Sequence, residues 1–124
     1  MYKIEKIGEN IFYIKALGTF PKSVAEQFIN EFKEKIKNLE NFSAIIDGLD
    51  FILLAMKSFD TILKLLKELN TKLVKSAYVS KSPVLVKEFE ILLERAESPN
   101  RTIVDNLDDA KKWIGIKDIV IKKD

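Results

Sequence analysis

Apolar and polar positions along the chain change period several times, and each change marks the edge of an element. Ile4 and Ile7 mark a first short strand, and Gly8-Glu9-Asn10 supplies turn chemistry. Ile11-Phe12-Tyr13-Ile14 is rich in β-branched and aromatic residues. That pattern predicts a hairpin over Tyr2–Gly18, its second strand ending at Gly18. From Ser23 the spacing becomes helical: Val24, Phe28, Phe32, Ile36 and Leu39, with Ala25 and Ile29, share one face, and Ser23 and Glu26 stand at capping-box distance. Phe42-Ser43-Ala44-Ile45-Ile46-Asp47 then has the unbroken apolar character of a central strand covered on both faces, with Asp47-Gly48 as its end.

After an apolar connection, Phe51–Met56, helical spacing returns at Phe59, Ile62, Leu63, Leu66 and Leu69. Ser58 is the expected cap of this helix, and Asp60 in its first turn suits the helix dipole. Leu73–Val79 predicts the next strand. Ser82 and Pro83 form an N-cap and first-position pair for a third helix that buries Leu85, Phe89, Leu92, Leu93 and Ala96. Ser98-Pro99-Asn100 ends it, and Arg101–Val104 is a short strand. Asp105-Asn106 opens a last helix with Asp108 and Asp109 at its start, Lys111 and Lys112 at its end and Gly115 as C-cap. Ile119-Val120-Ile121 is expected as an edge strand.

The order β-β-α-β-α-β-α-β-α implies an α/β fold. Its sheet is mixed but mainly parallel, with about four helices packed on it. A length of 124 residues suits a single domain spanning 1–124.

Composition narrows the chemistry. The 21 basic and 19 acidic residues are interspersed, and only two of the basic ones are Arg, so nucleic acid is not an expected partner. Without Cys or His the chain lacks thiol nucleophiles, Cys/His zinc sites and histidine general bases. The N-terminus is too charged for a signal peptide and no apolar run spans a bilayer, so the expected location is the cytoplasm.

Most of the chain carries a resemblance, best from Leu63 onward. The helix KLLKELN, the strand VKSAYVSKS, the helix VLVKEFEILLERA, the strand RTIVDN and the closing LDDAKKWIG, with Ala110 and Trp113, follow one another as in a STAS domain of the SpoIIAA-like family. The resemblance implies a helix-backed sheet, no catalysis, no cofactor and no metal. Regulatory members are anti-sigma factor antagonists, which bind a partner kinase and are switched by phosphorylation of a serine opening the helix after the central strand. The matching stretch here is Leu54-Ala55-Met56-Lys57-Ser58-Phe59, which lacks the Asp, the serine pair and the Gly of the family loop.

Three sets of candidate residues follow. Ser58, with Lys57 and Asp60, is the candidate phosphoacceptor or partner site, for an anti-sigma-type kinase or another protein. Phe51, Ile52, Leu54 and Met56 form a candidate apolar surface for a partner, a homodimer or a small lipid-like ligand. Ser80 and Ser82 form a candidate anion site at a helix start. For an enzyme, Asp47, Asp50 and Asp60 with Lys81 flank the expected carboxyl ends of the strands, where acid–base work or a hard metal ion would belong.

Overall fold

The computed structural model describes residues 1–121. Strands β1 (Tyr2–Lys6) and β2 (Ile11–Phe20) form the antiparallel hairpin, with Ile4 opposite Ile14. Then follow α1 (Lys22–Ile36), β3 (Phe42–Leu54), α2 (Met56–Leu69) and β4 (Leu73–Val79). The order closes with α3 (Pro83–Ala96), β5 (Arg101–Val104) and α4 (Leu107–Ile114). The strands lie in the order β1-β2-β3-β4-β5, and β2 to β5 are parallel. This is the mixed, mainly parallel sheet that the alternation of elements predicts.

The sheet grows in one direction, so right-handed crossovers place α1, α2 and α3 on a single face. Inward residues of β2, β3 and β4 (Phe12, Ile14, Phe42, Ala44, Tyr78) meet that helical layer. Helix α4 follows the last strand and closes the opposite face, where Ala110 packs on Ile45, Ala77 and Val79. A run of aromatic rings ties the first layer together. Phe20 meets Phe51 edge-on at 5.9 Å and Phe28 at 5.8 Å, Phe28 stacks on Phe32 at 5.7 Å, and Phe32 meets Phe42 at 5.4 Å. Each such pair adds about 0.5–1.5 kcal/mol beyond its area burial.

Four boundaries differ from those the sequence pattern suggests. Strand β3 does not end at Asp47-Gly48 but continues to Leu54, so the apolar connection is largely strand. The extension carries two bulges against β2: Lys15 and Leu17 pair with Asp47 and Asp50, and Gly18 and Thr19 pair with Phe51 and Leu53. Each bulge adds one residue to β3 and resets the in–out alternation. Phe51 and Leu54, three apart, therefore both point into the core while Ile52 and Leu53 point away. Likewise Gly18 does not end β2; it takes a left-handed φ of 66° beside the second bulge, where a side chain would be strained.

The remaining differences lie at helix starts and at the tail. Helix α1 starts at Lys22 behind Pro21, and Ser23 sits in its first turn instead of capping it. Helix α2 starts at Met56 behind Ala55, two residues before Ser58. Ile119-Val120-Ile121 are not a strand; Ile116 and Ile119 instead pack beside α4. Residues 122–124 of that tail lie outside the described residues. Local cap chemistry holds elsewhere. Ser82 Oγ accepts from the Leu85 amide at 3.3 Å, Asn106 Oδ1 accepts from the Asp109 amide at 2.7 Å, and Gly115 ends α4 in the left-handed region.

Candidate functional site

The carboxyl ends of β3 and β4 and the amino ends of α2 and α3 meet at one edge of the molecule. That edge of a parallel sheet is where α/β folds place their binding surfaces. The longer β3 overshoots β4, whose pairing stops at Asp47 and Val79. Its last residues are held against α3, with the Leu54 amide donating to Glu88 Oε1 at 2.7 Å. Beside that bond a groove opens between Leu53, Met56 and Phe59 on one wall and Val84, Lys87, Glu88 and Ile91 on the other.

The groove and its rim expose an unusual amount of apolar surface. Met56 is 89% exposed and Val84 69%, with Leu53 and Ile91 less so. Single exposed apolar residues are ordinary; a cluster drawn from three neighbouring elements marks an interaction surface. Lys57 and Lys81 are exposed next to it in sequence and Lys87 lines it, whereas Glu88 turns its carboxylate inward to the Leu54 amide. Asp60, exposed one turn into α2, is the acid nearest to Met56 along that helix.

The structure splits the candidate residues. Met56 lines this groove, Leu54 forms part of its floor, and Ile52 is exposed on β3 outside the groove lining. Phe51 and Leu54 are core residues that line an internal cavity of about 90 Å³ between the sheet and α1–α3. Ser58 is fully buried, and its hydroxyl donates to the Phe20 carbonyl at 2.5 Å. It neither caps α2 nor presents its oxygen to solvent, so the modification expected there finds no support in this geometry. Ser80 is buried and accepts from the Ser82 amide at 3.1 Å, while Ser82 caps α3. These two hydroxyls shape the turn into α3.

Val84 and Ile91 were not among the sequence candidates, whereas Leu53 lies within the apolar run Phe51–Met56. Val84 and Ile91 lie seven apart, two helical turns, just beside the Leu85, Phe89 and Leu92 stripe that packs inward. Two exposed aliphatic residues on the flank of an already complete inner stripe were the available signal.

The carboxylates proposed for acid–base chemistry take other roles. Asp47, only 2% exposed, accepts the Tyr13 hydroxyl on Oδ2 and the Leu49 amide on Oδ1 at 3.0 Å. Lys15 lies 3.7 Å from Asp47 and 3.0 Å from Asp50. This cluster stands on the α4 side of the sheet at the first bulge, with Asp47 bracing the turned backbone. Burial, then the bond to Asp47, holds the Tyr13 phenol well above its ordinary range. The Asp50 bond raises Lys15, with burial opposing it. Asp60 and Lys81 are exposed elsewhere, and among the described residues no group of acidic side chains could hold a metal ion.

No family model and no curated protein matches the chain. Solved structures do. An uncharacterised protein of the DUF3478 family with a SpoIIAA-like fold, from Shewanella loihica PV-4, superposes with a TM-score of 0.70 at 17% identity, covering 91% of each chain. The anti-sigma factor antagonist SpoIIAA in its unphosphorylated form gives 0.69 at 14% identity, over 95% of this chain and 100% of that one. The chain has the SpoIIAA-like fold. An anti-sigma factor antagonist from Mycobacterium paratuberculosis gives 0.69 at 12% identity, over 93% of each chain. Among the described residues, no helix of this SpoIIAA-like chain is long and apolar enough to cross a membrane.

Proposed function

We propose that this chain is a non-catalytic regulatory module that binds another protein through the edge formed by Leu53, Met56, Val84 and Ile91. The carrying observation is the cluster of exposed aliphatic side chains at the start of α2 and α3, in a fold shared with two anti-sigma factor antagonists. The partner presents apolar side chains to the groove and carries acidic groups opposite Lys57, Lys81 and Lys87. It reads the surface without a Ser58 phosphate, because the Ser58 hydroxyl is spent on Phe20 inside the protein. An anti-sigma-type kinase is one partner class that fits, as a binding partner and not as a modifying enzyme.

Site-specific photocrosslinking in the source cell tests this. A benzoylphenylalanine at position 56 and, separately, at position 84 should trap one and the same protein, and a probe at Lys35 on the outer face of α1 should not. Different proteins from positions 56 and 84, or equal capture from position 35, would remove the proposal. Capture of a second copy of this chain would replace it with a homodimer contact.

A further inference from the structure

The internal cavity between the sheet and the three-helix layer is not uniformly apolar. Its walls are the aromatic and aliphatic side chains of the core, but two polar residues reach it, Ser76 on β4 and Arg101 on β5. They are direct neighbours across the β4–β5 pair. Ser76 is 1% exposed and its hydroxyl has no hydrogen-bond partner; the Nε of Arg101 is buried and equally without one. A buried polar group left unpaired costs about 1–3 kcal/mol, so two facing one cavity call for an occupant.

The charge at this end identifies the occupant's chemistry. Arg101 Nη2 donates to the Leu66 carbonyl at 3.0 Å and to Asn70 Oδ1 at 3.3 Å, and Asn70 is itself fixed by donating to the Ala96 carbonyl at 2.8 Å. These neutral oxygens at the end of α2 orient the guanidinium, with the buried Tyr78 phenol beside it, and none of them carries a countercharge. Among the described residues Arg101 makes no ion pair. Water could meet these donors singly; a carboxylate answers both orphaned donors and the charge at once.

We infer that this cavity is a binding site for a small monocarboxylate with a short apolar tail. The carboxylate accepts from Arg101 Nε–H and from the Ser76 hydroxyl, and the tail lies among Phe51, Leu66 and Tyr78. The volume sets the size: about 90 Å³ is the liquid share of roughly three water molecules, which suits a tail of one or two carbons and excludes a longer acyl chain. Arg101 keeps part of its surface in solvent, so the polar end is the one through which the ligand enters. The site is separate from the exposed edge of α2 and α3 and stands or falls without it.

The test is a titration of ¹⁵N-labelled protein with sodium propionate and with 1-propanol, followed by amide and Arg101 Nε–H NMR shifts. Propionate should give saturable shifts at Ser76, Tyr78 and Arg101, with propanol about tenfold weaker because it lacks the charge. Ser76→Ala, which removes an unpartnered hydroxyl and so keeps the fold, should weaken propionate about tenfold. Met56→Asp, on the outer edge, should leave propionate binding unchanged. No saturable shift with either compound would mean ordered water only and overturn the inference. So would equal binding of propanol and propionate, shifts confined to surface lysines, or unaltered binding by Ser76→Ala.

Discussion

Replacing Ser58 tests whether its hydroxyl is a structural strut or a regulatory handle. The side chain is fully buried in α2 and its Oγ donates to the Phe20 carbonyl at 2.5 Å, joining the end of β2 to the helix after β3. Ser58→Ala removes the donor and leaves a buried carbonyl short of it, a loss of about 2 kcal/mol. For a domain of this size that lowers the melting temperature by about 6–10 °C. Ser58→Asp, the usual imitation of a phosphate, places an unpaired charge against that same carbonyl and costs about 3–5 kcal/mol. Small domains have only about 5–15 kcal/mol in total, so this variant should be near unfolding at ambient temperature. Urea titrations and thermal melts followed by circular dichroism measure both. A Ser58→Ala protein melting within 1 °C of wild type, with Ser58→Asp equally stable, would refute the reasoning and restore Ser58 as an accessible site.

Other substitutions check other parts of the structure. A Cβ on Gly48 would lie 2.9 Å from the Val79 carbonyl oxygen, so Gly48→Ala should push β3 from β4 at their last pair and cost about 1–3 kcal/mol by urea denaturation. Phe51→Ala should cost about 3–5 kcal/mol, whereas Ile52→Ala, one residue on across the bulge, should stay within about 0.5 kcal/mol. Equal losses would mean the bulge is misplaced. Tyr13 and Lys15 both titrate higher folded than unfolded, so their stabilisation is complete below about pH 10 and is lost as pH rises beyond it. Tyr13→Phe should therefore be less stable than wild type at pH 8, with Asp47 losing a donor, and should lose less on going to pH 11. A steeper alkaline loss in Tyr13→Phe would contradict the assignment.

Much of the fold is legible in the sequence because local chemistry and period carry it. The switches between strand and helix spacing give the order of all nine elements, and Ser82-Pro83, Asn106 and Gly115 mark helix ends whose capping partners lie within a few residues. What was not legible depends on partners far along the chain. The bulges in β3 are set by its register with β2, so Phe51–Met56 reads as a connection when four of its six residues are strand. Ser58 has the chemistry of a cap, yet its partner is Phe20, 38 residues away, and the helix starts without a side-chain cap. The candidate edge was half visible. Met56 stood out as a surplus apolar residue, but Phe51, Ile52 and Leu54 could not be separated from it without the register. Ser76 and Arg101 gave no local signal at all, because their meeting across β4 and β5 beneath α2 exists only in the folded chain.

The central claim is that the exposed edge of α2 and α3 is a protein-binding surface. Titration calorimetry of the protein trapped from positions 56 and 84 against wild type and the double variant Met56→Asp/Val84→Asp tests it most directly. Both side chains are solvent-exposed, so the variant should melt within about 2 °C of wild type while its affinity falls about a hundredfold or more. A stable double variant that binds the partner as tightly as wild type would show that the interaction lies elsewhere on the molecule.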